Sequence, residues 1–312
     1  VRVGPLELPA PIVAASGTFG HGAEVARLCD PTRLGAVTVK SLAPYEWAGN
    51  PAPRLHPEPG GAMLNSVGLQ GPGVEHWVAH ELGALRARGA RVIASLWGRT
   101  VDDFVVGAKM LAPAVHDLVA VELNVSCPNL EDRARMFAHS PEATGAVVRA
   151  VAEVDLRVPL LAKLSPNTFE IVDVARAAVD AGATGLTLVN TVLGFAIDAE
   201  RRAPVLGAGN GGLSGAPIKP VALRAVHDVT SALPGVPVIG TGGVTHGVDA
   251  VEMLLAGASA VGVGTATFRE PRAALRITDE LVSWCADHGV GAVADLTGAL
   301  GGTEGDGPGP AR

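Results

Sequence analysis

Eight short apolar runs, separated by segments of a different period, constrain the fold of this chain more than any other feature. The runs are IVAAS (12–16), AVTVK (36–40), RVIASLW (91–97), AVELNVS (120–126), PLLAKLS (159–165), GLTLVNT (185–191), PVIGTGG (237–243) and AVGVGTA (260–266). They are continuously hydrophobic rather than alternating, as strands covered on both faces must be. Between them, VEHWVAHELGALRARG (74–89), DDFVVGAKMLAPAVH (102–116), FEIVDVARAAVDAG (169–182), PIKPVALRAVHDV (217–229) and GVDAVEMLLAGA (247–258) repeat apolar residues at i, i+3 and i+4, the spacing of amphipathic helices. Gly182 and Gly257 read as helix stops before the next strand. Eight strand–helix units predict an α/β fold, a TIM (β/α)8 barrel formed as a single domain over residues 1–300. An open doubly wound sheet is the structural alternative. The Gly- and Pro-dense tail GGTEGDGPGPAR (301–312) is expected to be disordered.

Composition narrows the function classes. A chain of 312 residues with 48% hydrophobic content can bury one large core. A net charge of −7 provides no basic stripe for a phosphate backbone, so no nucleic-acid partner is expected. The three cysteines, at 29, 127 and 285, form neither a disulfide framework nor a metal-knuckle spacing. A reducing compartment, the cytoplasm, and no metal site follow as expectations. No apolar run reaches the ~18–20 residues that span a bilayer, and the first residues do not resemble an export signal.

In a barrel of this kind chemistry gathers at the C-terminal ends of the strands. Those ends are polar here: Ser16 and Gly17, Lys40 and Ser41, Ser95, Asn124 and Cys127, Lys163 and Ser165, Asn190 and Thr191, Gly242 and Gly243, Gly264 and Thr265. Burying such groups singly is costly, and burying two ammonium groups more so, which points to a shared polar ligand; the alternative is a rim of ordinary strand ends wetted by solvent. The chain holds only four lysines, at 40, 109, 163 and 219, and two of them fall on this rim. The other two lie on helical segments and are expected to be solvated. GTGG (240–243) and GVGT (262–265) close the last two strands with glycine turns, the usual place for a phosphate grip in a barrel. Tight turns also use glycine for backbone reasons alone.

The ordered motifs AASGTFG (14–20), VTVKS (37–41), GNPAPR (49–54), MLNSVGLQGPGVE (63–75), VELNVSCPN (121–129), LLAKLSPN (160–167), LVNT (188–191), GGLSG (211–215), IGTGG (239–243) and VGVGT (261–265) resemble those of class 1 dihydroorotate dehydrogenases, most closely the class 1B catalytic subunit. The resemblance implies FMN as cofactor and the oxidation of dihydroorotate to orotate in pyrimidine biosynthesis. It gives Cys127 the part of the base that takes a proton from substrate C5 while a hydride leaves C6 for the flavin. A free thiol, with a pKa near ~8.5, suits that work once a neighbouring charge or donor lowers it. Cys29 and Cys285 are expected to be small buried hydrophobes.

By the same resemblance, Ser16, Lys40, Ser41, Asn124, Lys163, Val189, Gly215, Gly242, Gly243, Gly264 and Thr265 contact FMN. Lys40, Asn65, Ser66, Val67, Gly68, Leu69, Asn124, Asn129, Asn190 and Thr191 hold the substrate. Asparagine offers donors and an acceptor, which suits a pyrimidine dione and its carboxylate. LEDRARMFAHSPEAT (130–144) is long enough to act as a lid. A homodimer is expected, and class 1B implies a second subunit carrying FAD and an iron–sulfur cluster. The glycine stretches here lack the acidic partner of a dinucleotide-binding unit. Related readings are an FMN barrel for another dihydropyrimidine, or a non-redox phosphate-binding barrel. The chain departs from the family pattern at Gly71, where an asparagine is usual and whose loss is expected to loosen the loop, and at Ser95, where an asparagine commonly reaches the flavin. Trp97, in IASLWGRT, is left unassigned by the resemblance.

Overall fold

The computed structural model describes residues 1–126 and 136–301. Eight parallel strands close into a barrel in chain order: β1 (Ile12–Ala14), β2 (Ala36–Thr38), β3 (Val92–Leu96), β4 (Leu118–Asn124), β5 (Leu160–Lys163), β6 (Gly185–Leu188), β7 (Val238–Thr241) and β8 (Ala260–Val263). β8 pairs back with β1 through Val261 and Ile12, so the sheet has no edge. The predicted barrel is the fold, and the open sheet is set aside.

The connections are less regular than the sequence period promised. β1 and β2 are joined by two 3-10 turns, Val25–Arg27 and Pro31–Arg33, with no α-helix. The helix after β3 runs α over Val101–Leu111 and tightens to 3-10 over Ala112–Asp117, where Pro113 removes an amide donor. The segment 74–89 divides at Glu81 into Val74–His80 and Leu82–Ala87. The longer remaining helices, Pro141–Ala152, Ile171–Asp180, Lys219–Ala232, Gly247–Leu255 and Ala273–Asp287, bury their apolar stripes against the outside of the barrel.

Inside the barrel the side chains stack in layers, because residues two apart on a strand share a face. Val13, Ile93, Leu161 and Ile239 come from alternate strands and pack with Ala36, Ala120 and Ala260. The small alanines leave room for Val3, Leu6 and Leu8, which the N-terminal hairpin (Arg2–Val3 with Leu6–Glu7) inserts as an apolar plug. Two residues further along the same faces the interior turns polar: Thr38, Glu122 and Thr187, then Ser95, Lys163 and Thr241, all buried.

A second sheet, not foreseen from the sequence, stands beside the barrel. Its four antiparallel strands run in the order Val192–Phe195, Asn210–Gly215, Ala62–Asn65 and Leu55–Glu58. They come from two excursions, one after β2 and one after β6, and the sheet carries Asn65 opposite Gly212.

Candidate active site

The polar layers open into a cavity of about 390 Å3 at the C-terminal end of the strands. Lys163 ends β5 and is 5% exposed; its Nζ donates to Ser16 Oγ at the end of β1, 3.0 Å away. Lys40, just beyond β2, shares the cavity. Burial, and then the charge on Lys163, push its amine down to about 8. Among the described residues no carboxylate pairs with either ammonium group, an arrangement that suits a ligand bringing negative charge or carbonyl oxygens.

A row of side-chain hydrogen bonds crosses the floor of the mouth. Glu122 Oε1 accepts from Ser95 at 3.1 Å and Oε2 from Thr187 at 2.9 Å. Ser95 and Ser41 hydroxyls lie 2.9 Å apart, Asn124 Nδ2 donates to Ser41 at 3.1 Å, and Asn190 Nδ2 donates to Asn124 Oδ1 at 3.4 Å. β3 delivers Ser95, β4 delivers Glu122 and Asn124, and β6 delivers Thr187. Ser95 is fully buried, below the reach of a ligand in the mouth.

Backbone geometry explains the glycines on the far side. Gly215 (φ 94°), Gly242 (φ 131°) and Gly243 (φ 78°) adopt conformations that L side chains avoid. A Cβ at Gly243 would also lie 2.6 Å from the Lys219 amide nitrogen. Gly264 differs: a Cβ there would meet Ala15 and Thr18 at an ordinary 3.7 Å, so protein packing does not demand glycine. The hydroxyl of Thr241, buried in the same lining, has no hydrogen-bond partner among the described residues.

The loop over the mouth is clasped from beneath by the GNPAPR segment. Asn50 donates from Nδ2 to Ser66 Oγ (2.9 Å) and from its amide to Val67 O (3.1 Å). Trp47 Nε1 donates to Gly68 O at 2.9 Å, and Arg54 bonds Asn50 O, Ala48 O and Gln70. A Cβ at Gly68 would sit 2.5 Å from Asn50 Cγ, so only glycine permits this clasp. Gly71, where the sequence context led one to expect a looser loop, is tied down through its backbone. Its N–H and C=O both bond Trp47, at 3.0 and 2.9 Å, and the His21 imidazole fills the space beside it. Burial and the Lys40 charge hold His21 below the usual imidazole pKa. Trp97 packs edge-on against Tyr45 and Trp47, with centroids 6.4 and 6.1 Å away, and so forms the base on which the loop stands.

The cavity lining gathers Ser16, Lys40, Ser41, Asn124, Lys163, Val189, Gly215, Gly242, Gly243, Gly264 and Thr265. Asn65, Ser66, Val67, Gly68, Leu69, Asn190 and Thr191 line the same cavity. Cys127 and Asn129 lie outside the described residues. Of the expected lid, the described part holds a 3-10 turn, Phe137–His139, and the start of helix Pro141–Ala152, with Phe137 and Thr144 fully buried; 130–135 lie outside the described residues. Cys29 and Cys285 are buried free thiols, and burial raises that of Cys29 to about 11. Lys109 is exposed as expected. Lys219 is not a solvated residue: it bonds Asp249 at 2.7 Å and Glu252 at 2.6 Å.

Two polar positions that brace the mouth escaped the sequence reading. Asn167 bonds Ser165, the Thr191 carbonyl and the Leu193 amide, tying two mouth loops together. Glu122 was readable as a charged residue inside an apolar strand, two positions before Asn124 and hence on its face. A larger groove of about 1010 Å3 lies outside the barrel, lined by Arg33, Arg276, Asp279 and Glu280 among others. Its charges neutralise one another in pairs such as Arg33–Asp279 and Arg276–Glu280, and it shares nothing with the mouth.

Fold and mouth together define a (β/α)8 barrel with a cationic, amide-lined ligand site. The family model for dihydroorotate dehydrogenase matches residues 1–284. The protein named "Dihydroorotate dehydrogenase B (NAD(+)), catalytic subunit" of Alkaliphilus metalliredigens (strain QYMF) is 44% identical over 300 residues, covering 96% of this chain and 98% of the relative. The proteins of that name from Geobacter sp. (strain M21) and Bacteroides fragilis are 44% and 41% identical over the same share of this chain, covering 97% and 98% of their own lengths. The chain belongs to the dihydroorotate dehydrogenase family, in agreement with the class 1B resemblance of its motifs.

Proposed function

We propose that this chain binds FMN and oxidises dihydroorotate to orotate, a step of pyrimidine biosynthesis. The observation that carries the reading is the convergence on one cavity of two ammonium groups, a row of asparagines and the glycine turns after β7 and β8. The residues fit the cofactor. Gly264 leaves space that protein packing does not require, and among the described residues the Thr241 hydroxyl has no partner and Lys40 and Lys163 have no paired carboxylate.

Gly215, Gly242, Gly243, Gly264 and Thr265 would hold the phosphate and ribityl end, with Ser16, Ser41, Val189 and Asn124 along the ring. When bound, FMN supplies the two-electron acceptor for the hydride that leaves substrate C6. Lys40 and Lys163 place fixed positive charge beside the accepting end of the site, which favours a ligand that gains negative charge. Asn65, Asn124, Asn129, Asn190 and Thr191 orient the substrate ring, and the clasped loop Ser66–Leu69 presents backbone groups to its carboxylate. Cys127 takes the C5 proton as thiolate and leaves it on its sulfur for release to solvent. A homodimer in the cytoplasm is part of this reading. So is a second subunit carrying FAD and an iron–sulfur cluster, which extends the words "catalytic subunit" and "NAD(+)" in the relatives' names.

The test is the absorbance spectrum of the purified protein, recorded anaerobically before and after dihydroorotate. Flavin bands that bleach are expected, with bleaching slowed roughly 10²–10⁴-fold in Cys127→Ala. A colourless protein that cannot be reconstituted with FMN overturns the reading. Bleaching by dihydrouracil and not by dihydroorotate transfers it to another dihydropyrimidine, and an unslowed Cys127→Ala removes Cys127 as the base.

A further inference from the structure

The row of hydrogen bonds under the mouth ends on Glu122, whose two carboxyl oxygens accept from Ser95 and Thr187. We propose that Glu122, closed inside the barrel at 2% exposure, is a positioning residue. Its carboxylate makes every hydrogen in the row Ser95, Ser41, Asn124, Asn190 point toward it, and so fixes which way both amides face.

The direction follows step by step. A hydroxyl has one hydrogen to donate. That of Ser95 goes to Glu122 Oε1, 3.1 Å away, so across the 2.9 Å to Ser41 the oxygen of Ser95 can only accept. Ser41 therefore donates to Ser95 and must itself accept from Asn124 Nδ2 at 3.1 Å. This turns Asn124 Oδ1 to the opposite side, where the Ser126 amide donates to it at 3.2 Å and Asn190 Nδ2 at 3.4 Å. Asn190 Oδ1 in turn accepts the Thr191 amide at 2.9 Å. Backbone N–H groups cannot exchange donor for acceptor. Those of Ser126 and Thr191 impose from above the orientation that Glu122 imposes from below, and the two ends agree only while Glu122 accepts.

Ser95 makes this possible. It stands where the resembled family commonly carries an asparagine, and its short, fully buried hydroxyl joins the carboxylate to Ser41. The functional consequence rests on the proposed FMN and dihydroorotate reading. Asn124 and Asn190 face the ligand, and a reversed amide would present a carbonyl where an N–H is needed, or the reverse.

Glu122→Gln keeps the shape but puts an NH2 group where an acceptor was, so one neighbouring hydroxyl must turn round. Ser95→Ala cuts the row and leaves Glu122 in place. Each is expected to raise the Kd of the apoprotein for FMN, read by flavin fluorescence quenching, by about tenfold, as for the loss of one buried hydrogen bond. The KM for dihydroorotate rises with it, more than kcat falls. Adding Glu122→Gln to Ser95→Ala is expected to bring no further loss, because the route from Glu122 to the amides is already cut. An unchanged Kd in both single variants, or effects that multiply in the double variant, overturns the proposal.

Should Glu122→Gln fail to fold, neutron diffraction of deuterium-exchanged wild-type crystals decides the direction without any variant. Deuterium on Ser95 aimed at Glu122, and on Ser41 aimed at Ser95, is expected; deuterium on the Glu122 carboxyl or on Ser95 aimed at Ser41 overturns it. This measurement needs no cofactor. A wild-type protein that takes up no FMN therefore defeats the proposed function while the direction of the row is still decided.

Discussion

Leu161 and Lys163 stand two residues apart on one face of β5, at 1% and 5% exposure, yet they serve opposite ends of the barrel. Leu161 packs with Val13, Ile93 and Ile239 over the hairpin plug in an apolar cluster. Lys163 lies about 7 Å further along the strand, by the ordinary rise of two residues, and reaches Ser16 in the polar mouth. The lower layers close the barrel without help. Among the described residues the upper layers hold two ammonium groups with no paired carboxylate and a Thr241 hydroxyl with no hydrogen-bond partner, so the polar groups are separated along the barrel axis from those that close its core.

That separation can be broken one residue at a time. Lys163→Met keeps the volume and removes the charge; FMN affinity is expected to fall on the order of a hundredfold, in the range of a buried charge-assisted bond, with little loss of Tm. A large drop in Tm with unchanged FMN binding would move Lys163 to the structural half. Leu161→Ala should do the converse. It is expected to cost about 2–5 kcal/mol of unfolding free energy, measured by denaturant titration, while FMN affinity of the folded protein stays within about twofold. Loss of cofactor without loss of stability would show the halves to be coupled.

A smaller effect comes from pH. The Lys40 amine sits at about 8, held down by burial and Lys163, against an ordinary value of 10.5. An anionic ligand favours the charged form, so ligand affinity is expected to weaken by up to about tenfold per unit as pH rises above this value. The stability of the ligand-free protein should move the other way. Between about 8 and 10.5 the unfolded chain binds the extra proton, so unfolding free energy rises over that window. Lys40→Met should flatten both trends in paired titrations; a persisting slope assigns them to another group. The smallest change is expected from Gly71→Ala, whose Cβ would lie 3.1 Å from His21 Nε2. A few tenths of an ångström of adjustment should raise the KM for dihydroorotate about two- to threefold, and a larger loss would mean that the loop has no slack.

Much of the barrel was legible because its signals are local. Continuous apolar runs, helical periods and glycine stops each occupy a few consecutive residues, and all eight strands stand within the runs or overlap them. The polar strand ends were legible for the same reason, since a lysine or asparagine at the close of an apolar run is conspicuous. The protruding sheet was not. Its strands Val192–Phe195 and Asn210–Gly215 are glycine-rich and half exposed, and they gain their partners from a separate excursion more than a hundred residues earlier. Trp97 could not be placed either, because its meaning lies in its contacts with Tyr45 and Trp47.

The sequence by itself determined that eight buried strands would alternate with helices, and that lysines, asparagines and glycines would stand where those strands end. It did so because strand burial and residue type are written in runs of a few neighbours. Only the tertiary structure decided that Ser41, Ser95, Glu122 and Asn124 form one hydrogen-bonded row, that Trp47 and Asn50 clasp the loop at Gly68, and that Lys219 is paired while Lys40 has no ion pair among the described residues. Those are contacts between residues brought together by closure of the barrel. A hydrogen bond depends on distance and direction in space, which no local pattern along the chain encodes.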